Sequence, residues 1–96
     1  MNNELNEYNQ LKIGDLVGDT KRIVLACTKL GDRIPGDTYA RWVSICAKEG
    51  EYHPYVVWDV VARPNGFSAS FGNYAFTLEE ALKYYYDRGG KSHDSQ

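Results

Sequence analysis

The sequence predicts an α+β fold, a four-stranded antiparallel β-meander with a C-terminal α-helix packed on one face (ββββα). Three observations lead to this prediction. Residues 55–62 are a run of β-branched and aromatic side chains, Pro64-Asn65-Gly66 has the composition of a tight turn, and residues 67–71 alternate between apolar and polar. Because a helix signal follows directly, this stretch indicates strand, turn, strand and helix in order.

Two further strands are expected earlier in the chain, at residues 21–30 and 39–48. Both are rich in β-branched and aromatic residues, and Gly31 and Gly50 follow them as turn residues. With residues 55–62 and 67–76 they make four strands joined by short connections, which favours a meander. Gly72 interrupts the last strand and predicts a bulge there.

The helix is predicted to run over about residues 78–88. Thr77 is a candidate N-cap with Glu80 three residues later, a capping box, and Gly89 suits the position after the last turn. Its apolar stripe, expected to face the sheet, has the spacing of one helix face. The stripe consists of Leu78, Ala81, Leu82 and Tyr85.

The ends of the chain are polar, and the 96 residues predict a single domain, 1–96. We expect residues 1–10 to be a polar arm, either a coil or a short N-terminal helix, and residues 89–96 to be a disordered tail. No signal peptide and no apolar run long enough for a membrane helix are present, so a cytoplasmic protein without membrane contact is expected. Cys27 and Cys46 fit that compartment as reduced, buried residues.

Enzymatic chemistry is not indicated by the sequence. His53 and His93 have no ligand partners at metal spacing, so neither a metal site nor another cofactor is predicted. Cys46 and His53 lie on either side of a predicted turn without a third orienting group. A non-enzymatic protein is therefore expected.

Apolar residues lie on both faces of the predicted sheet, more than one short helix can cover. Three covers are open: residues 4–17 folding back, a second copy forming a homodimer, or a partner protein. A homodimer with a structural or regulatory role is therefore an alternative function. We expect the partner-binding surface on the sheet face or edge away from the helix. Its anchors would be Trp42, Tyr55 and Trp58, and Asp32 and Asp37 of the loop at 31–38 would contact a basic partner.

Single-stranded nucleic acid is an alternative partner, because aromatic rings beside basic side chains can stack bases. The formal net charge of −2 and the missing glycine–aromatic signature of RNA-recognition motifs disfavour direct nucleic-acid binding. The residues that would serve it are Trp42, Trp58, Phe67, Phe71, Arg41, Arg63 and Lys48.

The segments KIGD at 12–15, YVVWD at 55–59 and residues 73–88 resemble a loose group of small proteins encoded by phages and mobile elements of Firmicutes. The resemblance implies an inhibitor of a host defence nuclease complex, similar to anti-CRISPR or anti-restriction proteins. Its partner would be a host protein or a protein–nucleic-acid complex. The function expected on this basis is a small protein-binding module that acts without catalysis.

Overall fold

Five antiparallel strands and one helix follow each other along the chain in the computed structural model, which describes residues 10–32, 40–63 and 66–91. The strands are β1 (Leu16–Val17), β2 (Arg22–Asp32), β3 (Ala40–Ala47), β4 (Tyr55–Arg63) and β5 (Gly66–Ala75), and the helix is α1 (Leu78–Asp87). The order in the sheet is the order in the sequence. The predicted α+β meander with a C-terminal helix is confirmed, with five strands in place of four.

β1 is the strand that the sequence did not predict. Leu16 pairs with Ile23 and Val17 with Arg22, so two residues add a strand to the free side of β2. Upstream of this pair, the amide of Gly14 donates to the carbonyl of Val24, and the amide of Val24 donates to the carbonyl of Asp15. The segment before β1 therefore also lies along β2.

A bulge in β5 confirms the prediction made for Gly72. Val57 pairs with Asn73 and Asp59 with Ser70, so Trp58 of β4 stands opposite two residues, Phe71 and Gly72. The β2–β3 pairing has two more register shifts, between Val24 and Ala26 and between Lys29 and Gly31. Because bulges bend a strand and increase its twist, they favour a curled sheet. The curl brings β1 close to β5.

The two faces of the curled sheet have separate cores. On the inner face, which the curl encloses, the buried side chains are those of Leu11, Val17, Val24, Cys27, Ala40, Trp42, Cys46, Val56, Val60 and Ala62. On the helix face, the buried side chains are those of Val43, Ile45, Val57, Ala75, Ala81 and Tyr85. Leu11 and Val17 belong to the N-terminal segment, so this segment covers part of the inner face. Folding back of residues 4–17 was one of the three covers considered from the sequence.

The helix begins and ends with the cap residues that the sequence predicts. The amide of Glu80 donates to the Thr77 hydroxyl at 3.1 Å, and the Glu80 carboxylate accepts from the amide of Phe76 at 3.1 Å, one residue before the usual partner in a capping box. At the other end, Gly89 has a φ of 98°, and the amides of Gly89 and Gly90 donate to Tyr86 and Tyr85. This double hydrogen bond is a Schellman motif.

The first residues of the expected disordered tail are held against the sheet. The amide of Lys91 donates to the Thr28 hydroxyl at 2.9 Å, and Thr28 shares a 2.6 Å hydrogen bond with the Tyr85 hydroxyl. A Cβ on Gly90 would lie 2.4 Å from the Tyr85 ring, so the chain passes directly over that ring. Residues 92–96 of the tail and 1–9 of the N-terminal arm lie outside the described part of the chain.

Candidate binding surfaces

The three aromatic residues predicted as binding anchors do not share a surface. Trp42 is only 7% exposed and packs in the inner core, and Trp58 is partly buried on the same face. Tyr55 packs against the helix-face core instead. Since neighbouring residues along a strand point to opposite faces, the register of β3 with β4 separates Tyr55 from both tryptophans.

Of the two acidic residues predicted to contact a basic partner, the structure places Asp32 at one end of the sheet. Asp32 is the last residue of β2 and pairs with Ala40. Asp37 lies outside the described residues. Binding by these five residues stays a prediction, but Trp42 could reach a partner only if the inner core opened.

Four aromatic rings form an exposed group at the end of the sheet where β4 begins and β5 ends; we call it the aromatic cluster. It consists of Tyr52, His53, Tyr74 and Phe76. Ring centroids are 4.7 Å apart for Tyr52 and His53, 4.5 Å for His53 and Phe76, 5.4 Å for Tyr52 and Phe76, and 5.8 Å for His53 and Tyr74. Tyr52 is 80%, Phe76 53% and Tyr74 49% exposed, so these rings contact each other and still face solvent.

A buried arginine fixes the backbone beneath the aromatic cluster. Arg22 donates to the carbonyls of His53 and Pro54, each at 3.0 Å, and its guanidinium lies 5.7 Å from the centre of the Tyr74 ring. Glu51 lies 3.9 Å from the same guanidinium. Because Arg22 is a buried residue of β2, its hydrogen bonds hold the loop that carries Tyr52 and His53 against β2.

An open cleft of about 820 Å³ adjoins the aromatic cluster. It lies between the β1–β2 turn, residues 18–21, and the first half of β5, residues 66–69, and Tyr74 and Trp58 also line it. The Trp58 ring fills the space between two glycines: an added Cβ would lie 2.8 Å from it at Gly18 and 2.9 Å at Gly72. Tyr74 therefore joins the cleft to the aromatic cluster in one continuous surface.

The bulge in β5 is held by Arg88, the C-cap residue of α1. Its guanidinium donates to the carbonyls of Val57 and Phe71 at 3.0 and 2.7 Å, to the Asn73 side chain at 2.8 Å and to the Asp59 carboxylate at 2.7 Å. These four acceptors come from both strands that flank the bulge. One side chain thus joins the end of the helix to the irregular part of the sheet.

The environment of the two thiols disfavours the thiolate form that nucleophilic catalysis needs. Burial raises the pKa of Cys27 and of Cys46 from 9.0 to about 11, with Asp15 adding to the effect at Cys27. Both thiols are therefore protonated at neutral pH, whereas the thiolate is the nucleophile. In residues 10–32, 40–63 and 66–91, no group of three or more His, Cys, Asp or Glu side chains could hold a metal ion.

No family model matches this chain, and neither the curated proteins nor the solved structures include a match. No helix in the described part of the chain is long and apolar enough to span a membrane. The fold thus defines a small α+β domain, and the resemblance to mobile-element proteins stays a prediction.

The aromatic cluster was not predicted from the sequence, because its rings come from two separate segments. Tyr52 and His53 lie between β3 and β4, Tyr74 lies near the end of β5, and Phe76 follows directly after β5. The available signal was the antiparallel pairing itself, which puts the start of β4 beside the end of β5 and so brings the turn residues next to Tyr74 and Phe76.

Proposed function

We propose that this protein is a non-enzymatic protein-binding module and that the aromatic cluster is its principal contact surface. The observation that carries the proposal is the group of four touching rings, three of them about half exposed or more, over a buried arginine. Isolated exposed apolar residues are ordinary, but a contiguous exposed patch is typical of an interaction site.

The chemistry of the cluster fits a protein partner. Aromatic residues are enriched in the cores of protein interfaces and supply much of the binding free energy. The hydrogen bonds from Arg22 to His53 and Pro54 hold the loop before binding, which reduces the entropy lost on association. The cleft beside Tyr74 gives a partner a concave surface to fill.

The partner class is a further part of the proposal and rests on the sequence resemblance alone. Small proteins of phages and mobile elements would act on a host protein or on a protein–nucleic-acid complex, in particular a defence nuclease. Inhibition by occupying a surface requires no catalytic residue, in keeping with the protonated thiols at neutral pH.

A binding experiment with matched variants tests the proposal. Tagged wild-type protein, the double variant Tyr52→Ser/Phe76→Ser and the control Tyr86→Ser would each be used to isolate partners from a Firmicutes host lysate. Tyr86 is also about half exposed but lies on the helix. We expect a partner that binds the wild type and the control, with affinity for the double variant reduced by about 30-fold or more.

Two outcomes would overturn the proposal: no specific partner for the wild type, or equal retention by the double variant. Circular dichroism and thermal melting would show that all three proteins are folded. Sedimentation of the purified proteins comes first. A wild-type dimer that the double substitution converts to monomer would show that the cluster binds a second copy instead of a host partner.

A further inference from the structure

The helix covers only part of its face of the sheet, and the uncovered part has a distinct composition. Five residues there line a hollow of about 370 Å³ together with Asp59, Val60 and Val61. We call these five the arginine–phenylalanine patch: Arg41, Arg63, Ser68, Ser70 and Phe71. The patch lies beyond the C-terminal end of α1, toward the end of the strands opposite the aromatic cluster.

Phe71 has two unusual properties at once. Its φ is 55°, in the left-handed region that a residue with a Cβ rarely adopts, and its side chain is 77% exposed. Glycine or asparagine would form this bulge with less strain, and an exposed ring adds little to the core. Strained backbone that brings no gain in packing is typical of residues that contact a ligand.

The charge of the patch favours an anionic ligand. One acidic residue, Asp59, is among the described residues that line the hollow. Its carboxylate lies 2.7 Å from the guanidinium of Arg88. This ion pair offsets the negative charge of Asp59, while the exposed Arg41 lines the same hollow as Phe71 and brings a positive charge. The patch is therefore locally cationic in a protein whose formal net charge is −2.

We propose that the arginine–phenylalanine patch binds a short segment of single-stranded nucleic acid. An exposed aromatic ring stacks on any base, arginines bind phosphates, and serine hydroxyls donate to phosphate or sugar oxygens. Phe71, Arg41, Arg63, Ser68 and Ser70 supply these three groups around one hollow. Two arginines make few phosphate contacts, so the affinity is modest and falls with salt.

The test is fluorescence anisotropy with a labelled oligothymidylate and with oligouridylate, each about 12 nucleotides long. Phe71→Asn removes the ring and keeps a residue that tolerates positive φ, and we expect it to weaken binding about 10-fold. Arg41→Gln should weaken binding at low salt and reduce the slope of log K against log salt by about 0.7, the value for one phosphate contact to a single strand. Comparing the two oligonucleotides shows whether the 2′-hydroxyl contributes.

Matched controls are Lys83→Gln, which removes one exposed positive charge from the helix, and Tyr52→Asn, which removes one exposed ring from the aromatic cluster. Both should bind the oligonucleotides as the wild type does. The proposal is overturned if the wild type shows no binding up to about 1 mM protein at about 50 mM salt. It is also overturned if the controls lose as much affinity as the patch variants, or if polyglutamate displaces the oligonucleotide at equal charge concentration. Since Tyr52→Asn changes the surface proposed for protein binding, the two proposals can fail separately.

Discussion

The two faces of the sheet are covered in different ways. On the inner face, the curl of the sheet and the N-terminal residues Leu11 and Val17 enclose Trp42 and its neighbours. On the helix face, α1 covers Val43, Ile45 and Val57, and the rest of that face stays open around Phe71.

This difference shows where an excess of apolar residues goes in a small sheet. A flat sheet with one helix would leave one apolar face exposed. Here the bulges curl the sheet, so the inner face buries its own side chains without a second layer. Apart from Tyr86 on α1, the rings that are about half exposed or more in the described part of the chain belong to the aromatic cluster and to Phe71.

The largest expected effect is on the inner face. Trp42→Ala should lower the free energy of unfolding by about 3–5 kcal/mol, because it removes a large, nearly fully buried side chain. The matched change Leu78→Ala, at a helix residue that is substantially exposed, should cost below about 1 kcal/mol. Urea denaturation measures both, and similar costs would show that the inner face is not a packed core.

Alkaline pH should destabilise the protein through both faces. Burial raises the pKa of the Cys27 and Cys46 thiols to about 11, so the unfolded chain loses its thiol protons at lower pH than the folded one. The contribution of each thiol is complete well below pH 9 and is lost as pH rises toward 11, a change on the order of 2 kcal/mol for each thiol. Burial also raises the pKa of Tyr85 on the helix face, which acts in the same direction.

Urea denaturation of two variants across this pH range separates the contributions of the two faces. Cys27→Ala/Cys46→Ala removes the inner-face titration, and Tyr85→Phe removes the titration on the helix face. If the cysteine-free variant loses as much stability between neutral and alkaline pH as the wild type, the thiols are not responsible.

Arg88 should contribute less to the free energy of unfolding than Trp42 does, but more than an ordinary surface residue. Arg88→Gln removes hydrogen bonds to Val57, Phe71 and Asp59, and we expect a loss of about 2 kcal/mol. Arg88→Lys keeps the positive charge but not the planar group that reaches several acceptors, so it should restore only part of the loss. Chemical denaturation measures the series, and full rescue by lysine would show that charge alone matters.

The smallest expected effect has the opposite sign. Phe71→Asn should raise the free energy of unfolding by about 0.5–1 kcal/mol, because asparagine adopts the left-handed region more readily and the lost ring is mostly exposed. Differential scanning calorimetry should show a small increase in Tm. A clear decrease would mean that the ring packs against the sheet, and the argument for a ligand at this position would lose its basis.

The regular elements could be predicted from the sequence because each has a local signal. The four longer strands contain β-branched and aromatic runs, Gly72 indicates the bulge, and Thr77 with Glu80 indicates the start of the helix. β1 could not be predicted, because two residues are too few to show a period and their pairing depends on the position of β2.

The candidate surfaces could be predicted only in part, because they depend on register and curl. Trp42 pairs with Val60 and lies on the inner face, whereas Tyr55 pairs with Ala47 and lies on the other. Only the exact turn between β3 and β4 decides this, since a shift of one residue exchanges the faces. Arg41, Arg63 and Phe71 were named together as a nucleic-acid alternative, and the structure places all three around one hollow.

The odd number of strands in the described part of the chain limits how this sheet could be enlarged. Each strand runs opposite to its neighbour, so β1 and β5, which come together as the sheet curls, point in the same direction. One extra strand inserted between them would have antiparallel neighbours on both sides, so its direction would suit closure of the sheet into a barrel. With two extra strands, the strands that meet where the sheet closes would again point in the same direction. Adding an even or an odd number of strands therefore has different outcomes.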